Sequence, residues 1–178
     1  MIITLAVIAV IAMWLMGTYN SLIGMRNKVD EAFSTMDVFL KKRFDLIPNL
    51  VATVKGYAKH ESETLERVVA MRSGAKTTDE KVAAEKEMTQ AIRQLMVTVE
   101  AYPELKANTS FLDLQQQLRA IEEDISNSRR YYNGSVREYN NKVQMVPSNI
   151  VASIFGFQTR QMFEVDSAEE RKNVKVEF

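Results

Sequence analysis

"SFLDLQQQLRAIEEDISNSRRYYNGSVREYNNKVQMV", Ser110 to Val146, is the stretch on which the fold turns. Phe111, Leu114, Leu118, Ile121, Ile125, Tyr132, Tyr139 and Val143 recur at heptad-compatible spacing, which lays one apolar stripe along a single helix. Pro147 ends the run, and "SFLD" (Ser110 to Asp113) resembles a capping box in which serine and aspartate satisfy the first free N–H groups. Some 35 residues of helix are about 52 Å long. Gly134 is its weak point, at a cost of about 1 kcal/mol relative to alanine. A helix with one apolar face must bury it against others, so the rest of the chain has to supply them.

Upstream, Leu22, Val29, Phe33, Met36 and Leu40 continue the same pattern and predict a first long helix. Pro48 is expected to stop that helix and to open the next, with Asp45 as its cap, because proline lacks the N–H that an interior turn uses. Lys41, Lys42 and Arg43 then fall near a helix end, where cations meet the partial negative charge of the terminus. A second stripe follows at Leu50, Val54, Tyr57, Leu65, Val68 and Met71. "SGAKTTDEK" (Ser73 to Lys81) reads as a connection, and Met88, Ile92, Leu95 and Val99 mark a third helix that stops at Tyr102 before Pro103. The expectation is an all-α chain: an antiparallel up-and-down four-helix bundle of long, coiled-coil-like helices over residues 21–146. No repeat period of 20 to 50 residues is evident, against a solenoid.

The first 25 residues, "MIITLAVIAVIAMWLMGTYNSLIGM", carry no charged side chain. As a helix, Ile2 to Met16 spans about 22 Å, and extension through Tyr19 gives about 27 Å, at the short end for a bilayer crossing. Residues 1–20 are therefore expected to be a transmembrane anchor. Ile2, Ile3, Leu5, Val7, Ile8, Val10, Ile11 and Leu15 would meet lipid, with Trp14 and Tyr19 at the interface. The rival is a cleaved signal peptide, but no basic n-region and no convincing small-x-small cleavage site is present. Arg26, Lys28 and Lys41 to Arg43 all follow the span. The positive-inside bias then predicts a single-pass chain with its N-terminus outside and the bundle in the cytoplasm.

Residues 147–178 depart from the heptad pattern. Ile150, Val151, Ile154, Phe155 and Phe157 cluster near Gly156, followed by a charged tail that alternates at Val174, Val176 and Phe178. Either the apolar piece folds over one end of the bundle, or it forms an interaction surface for membrane or for another copy of the chain.

Composition narrows the chemistry. The 23 basic and 23 acidic residues balance, which argues against a nucleic-acid partner. The absence of cysteine removes disulfides, thiolate nucleophiles and cysteine-held metals. His60, the sole histidine, has Tyr57 three residues before it, so the Glu-x-x-His pair of a two-metal bundle is missing. The acidic run Glu122 to Asp124 lies between core positions and is expected to face solvent. No serine falls in a Gly-x-Ser-x-Gly elbow and no glycine loop of phosphate-binding type occurs. "RRYYNGSVREYNNK" (Arg129 to Lys142) interleaves basic and aromatic residues as single-strand binders do, yet Tyr132 and Tyr139 sit on the apolar stripe. No catalytic, cofactor or metal site is expected.

Six segments together resemble the LemA family: "YNSLIGMRNKVDEAF" (Tyr19 to Phe33), "LKKRFDLIPNLVATVKGYAKHE" (Leu40 to Glu61), "AYPELKAN" (Ala101 to Asn108), "FLDLQQQL" (Phe111 to Leu118), "REYN" (Arg137 to Asn140) and "VPSNIVASIFGF" (Val146 to Phe157). The resemblance implies an N-terminal membrane helix with a short external end, a helical bundle in the cytoplasm of a bacterial inner-membrane protein, and no catalytic motif. A magnetosome-associated relative of that family implies, by analogy, work in membrane organisation. The leading expectation is a membrane-anchored interaction protein that self-associates or binds a protein partner. The alternative is a sensory or small-ligand-binding module, for which the bundle core would need a cavity. A third reading, an enzyme with His60 as general base, would need a carboxylate or cleft beside the ring.

Overall fold

The computed structural model describes residues 1–57 and 78–163, and every regular element among them is helical. We number them α1 (Ile2–Lys55), α2 (Thr78–Glu100), α3 (Pro103–Lys106), α4 (Thr109–Gln144) and α5 (Ser148–Ile154). At 54 residues α1 is about 81 Å long. Two compact units divide the described chain. One comprises Met1–Met36 and Asn127–Met162; the other comprises Asp37–Ser126 and Phe163.

α1 corrects the sequence reading at Pro48. The helix does not stop there but runs on to Lys55, and Asp45 is an interior residue rather than a cap. Interior proline forfeits a hydrogen bond and crowds the preceding turn, at about 3 kcal/mol. Ile47, Leu50, Val51 and Val54, on either side of it, are all buried in the apolar core. Each buried side chain of this size contributes about 1.5–3 kcal/mol. Tertiary burial outweighs the local preference. The rest of the expected second helix, including Leu65, Val68 and Met71, lies outside the described residues, as does His60. Thr78 to Lys81, expected in a connection, already belong to α2.

In the second unit the expected core positions of α2 are buried: Met88, Ile92, Leu95 and Val99. They pack with Val54, Leu105, Phe111 and Leu118. Pro103 opens the single turn of α3, whose Leu105 is fully buried. The cap of α4 is also a correction. Asn108, not Ser110, does the work: its Oδ1 accepts from the Phe111 N–H at 3.0 Å, two residues earlier than the expected box. Its Nδ2 donates to the Tyr57 hydroxyl at 3.0 Å, which explains why Tyr57 sits at the rim rather than in the core.

In the first unit, Lys28 pairs with Glu138 at 2.9 Å and the Phe33 ring lies 5.8 Å from that of Tyr132. Residue numbers rise along α1 as they fall along α4, so the two helices are antiparallel there. Leu22, Val29, Ala32 and Met36 from α1, and Tyr132, Val136 and Tyr139 from α4, are buried. α4 ends at Gln144, two residues short of the expected end, and a cis peptide joins Val146 to Pro147. The Ser148 hydroxyl lies 2.6 Å from the Lys142 carbonyl and 2.9 Å from that of Met145, which covers open acceptors at the helix end.

Candidate functional site

The anchor residues stand clear of the packed chain. Ile2 is 83% exposed and Ile11 still 50%, with Trp14 at 39%. The first buried residue on α1 is Thr18, and Leu22 is fully buried. The uncovered part lies within the charge-free stretch of residues 1–25. Among the described residues, α1 is the one helix long and apolar enough to cross a membrane. Leu15 and Tyr19 are half-buried.

Beside the last turns of this apolar stretch lies the 147–163 segment. Tyr19 meets the Phe155 ring at 4.7 Å and the Phe157 ring at 5.7 Å, and the Arg26 guanidinium sits over Phe157 at 5.7 Å from its centroid. α5 closes in a Schellman turn: the Phe157 N–H donates to the Ala152 carbonyl at 2.9 Å and the Gly156 N–H to that of Ser153 at 3.4 Å. Gly156 takes φ +69°, the left-handed conformation that such a turn needs. Beyond it the chain is clamped by side chains of α4. Asn140 accepts from the Arg160 N–H at 2.8 Å and donates to its carbonyl at 2.9 Å, while the Tyr132 hydroxyl donates to the Gln161 carbonyl at 3.0 Å.

This geometry splits the expected interaction surface. Val151 and Phe157 are buried and serve packing, so they leave that surface. Ile150, Ile154 and Phe155 remain 54–67% exposed. One face of the segment covers α1 and the other stays open.

The Lys28–Glu138 and Asp30–Arg160 ion pairs of this unit lie at the rim. The hydrogen bond to Glu138 raises the Lys28 ammonium above its ordinary range, and the same bond lowers the Glu138 carboxyl. Tyr139 is raised chiefly by burial. It sits in the core with Tyr132, which places both rings as the heptad stripe predicts.

The second unit holds a polar site that the sequence reading missed. Arg43 is wholly buried. Both its terminal nitrogens engage Glu85, Nη2 on Oε2 and Nη1 on Oε1, the latter at 3.3 Å. Nη1 also reaches Glu122 at 3.2 Å and the Thr89 hydroxyl at 3.4 Å. Arg43 is thus no helix-end cation, and Glu122 does not simply face water as the acidic run suggested. A spacing signal was present. Leu22, Val29, Met36, Arg43 and Leu50 follow one another at sevens, as do Glu85, Ile92 and Val99, so both partners occupy core slots of their own helices. Residue type alone points these side chains to the surface, whereas their positions point them to the core. The fork–fork geometry is that of a strong charge-assisted pair held away from water.

These features define a class: an all-helical protein whose longest helix begins in an exposed apolar segment and continues into a packed core. The chain belongs to the LemA family, whose model matches residues 32–178. It is 25% identical to Protein LemA of Metamycoplasma hominis over 87% of this chain and 76% of that protein. The same identity, over 90% of this chain and 69% of theirs, relates it to magnetosome proteins MamQ 1 and MamQ 2 of Paramagnetospirillum magneticum. None of these names describes an enzymatic activity.

Proposed function

We propose that this protein is a membrane-anchored scaffold that works by contact rather than catalysis. Residues 1–20 cross the membrane once, with the N-terminus outside and residues 21–146 forming a four-helix bundle in the cytoplasm. The observation that carries this reading is the exposure of Ile2 to Ile11 on the same helix that is buried from Leu22 onward. An apolar surface of that size needs a non-aqueous environment, and its length suits a thin bilayer. Arg26 and Lys28 beyond the span support the orientation.

Copies of the chain assemble in the plane of the membrane, and the protein has no resident cofactor or nucleic-acid partner. Ile150, Ile154 and Phe155 form its contact surface, for a second copy or for lipid. The burial of Val54, Leu95, Leu118 and Ile125 favours a filled core over a ligand-binding module. A relative named as a magnetosome protein supports a part in membrane organisation, by analogy alone. Crosslinking of the full-length chain in intact membranes tests the reading. Ladders of discrete oligomers are expected; a chain that stays monomeric and crosslinks to nothing refutes it.

A further inference from the structure

The exposed apolar residues near α5 form one short stretch of chain: Met145, Val146, Ile150, Ile154 and Phe155 are 54–78% exposed. Their position along α1 is set by rings. Phe155 lies against Tyr19, within the charge-free part of the helix, whereas Phe157 bridges Tyr19 and Arg26. Seven residues separate Tyr19 from Arg26, about 10 Å along the axis. In order, the first unit offers bare aliphatic helix, then an aromatic pair with exposed Ile154 and Phe155 beside it, then a guanidinium. Lys28 and Arg160 follow. A membrane has the same order of hydrocarbon, interface and headgroup.

We propose that the α5 turn is a second membrane contact, lying in the boundary between headgroups and acyl chains with Ile150, Ile154 and Phe155 against lipid. This rests on the reading of residues 1–20 as an anchor, and it names the occupant of the contact surface. Lipid fits better than a second copy on two counts. The face is continuous with the apolar surface of the anchor. It is also small: five side chains expose on the order of a few hundred Å², short of the roughly 800 Å² per partner that a stable interface needs. A fluid phase requires no shape complementarity. Val151, Ala152 and Phe157, buried on the opposite side, hold the turn so that its outer face keeps a fixed height.

The natural lack of cysteine makes the test direct. The full-length chain carrying Ile154→Cys or Ile150→Cys is labelled with an environment-sensitive fluorophore and reconstituted in phosphatidylcholine–phosphatidylglycerol vesicles. Val10→Cys serves as the lipid reference and Glu138→Cys as the aqueous one. At 150 and 154 we expect blue-shifted emission that is lost when lipids carry bromine near the ester end of the acyl chain, and that iodide fails to quench. If these positions behave like 138, the turn is in water and the proposal falls. If they resist both quenchers and crosslink to their own kind, a second copy covers the face, which equally overturns it. Either result with Val10 quenched by bromolipid leaves the anchor standing. A Val10 probe untouched by bromolipid defeats the anchor and this proposal together.

Discussion

The two units bury polar groups in opposite ways. In the second, the Arg43 guanidinium is wholly buried against Glu85, Thr89 and Glu122, and its partner Glu85 is only 5% exposed. In the first, the ion pairs Lys28–Glu138 and Asp30–Arg160 stay at the rim, while rings and main-chain clamps fill the seam. A rim pair is hydrated whether or not it forms, so it contributes little. A buried pair cannot fall back on water, so each partner depends on the other. The difference teaches where geometry is demanded. Slippage of α1 against α2 by one residue would strand two charges in the core, whereas a shift at the rim costs a weak contact.

Breaking the buried pair should have the largest effect. Arg43→Ala leaves Glu85 charged and unpartnered by guanidinium, and we expect a loss of about 3–5 kcal/mol in urea unfolding followed by circular dichroism in detergent. Arg43→Leu combined with Glu85→Leu should recover most of that loss. A double variant as unstable as the single one would mean that the pair acts through packing alone. A smaller effect should follow at the other unit's turn. Gly156→Ala forces a left-handed alanine, costs about 1–2 kcal/mol, and should loosen Phe155 from Tyr19 without touching the core around Arg43. Hydrogen exchange at the Phe157 amide reads it; unchanged protection there would contradict the assignment of that turn.

The smallest effect concerns the rim pair, and its sign can be worked out. The folded Glu138 carboxyl is lowered, so its contribution is present above the ordinary carboxylate range near 4.3 and is lost as pH falls through the folded value. The folded Lys28 ammonium is raised, so its contribution is present below the ordinary lysine range near 10.4 and is lost as pH rises through the folded value. Between the two, the pair is intact. Carbon-13 titration of Glu138 should show a higher midpoint in Lys28→Met than in the unaltered chain. Identical midpoints would mean the contact does not persist in solution.

How much of this was legible beforehand varies with the scale of the cause. The helices α2 and α4 were legible, because burial at Met88 and Leu95, or at Leu118, Ile125 and Tyr132, follows from a repeat that the sequence displays. Pro48 was misread because its local penalty is visible in one residue while the packing that offsets it is spread over four. Asn108 escaped notice for a related reason: serine and aspartate at 110 and 113 satisfy a pattern, but the helix already starts at Thr109. The buried guanidinium was hidden only by habit, since its slot among Met36 and Leu50 announced it. The split of the 150–157 cluster was not legible, as no periodicity in eight residues separates Val151 from Ile150.

The clamp at Arg160 has its own evolutionary consequence. Asn140 holds the N–H and the carbonyl of that residue and never touches its side chain for the purpose. Tyr132 likewise grips only the peptide at Gln161. A lock that recognises main chain is blind to spelling, so positions 160 and 161 are free to drift at the price of one weak contact to Asp30. Position 140 is not: aspartate would lose the donor and glutamine would overshoot the rung. Descendants of this chain should therefore vary in the strap and stay constant in the hook.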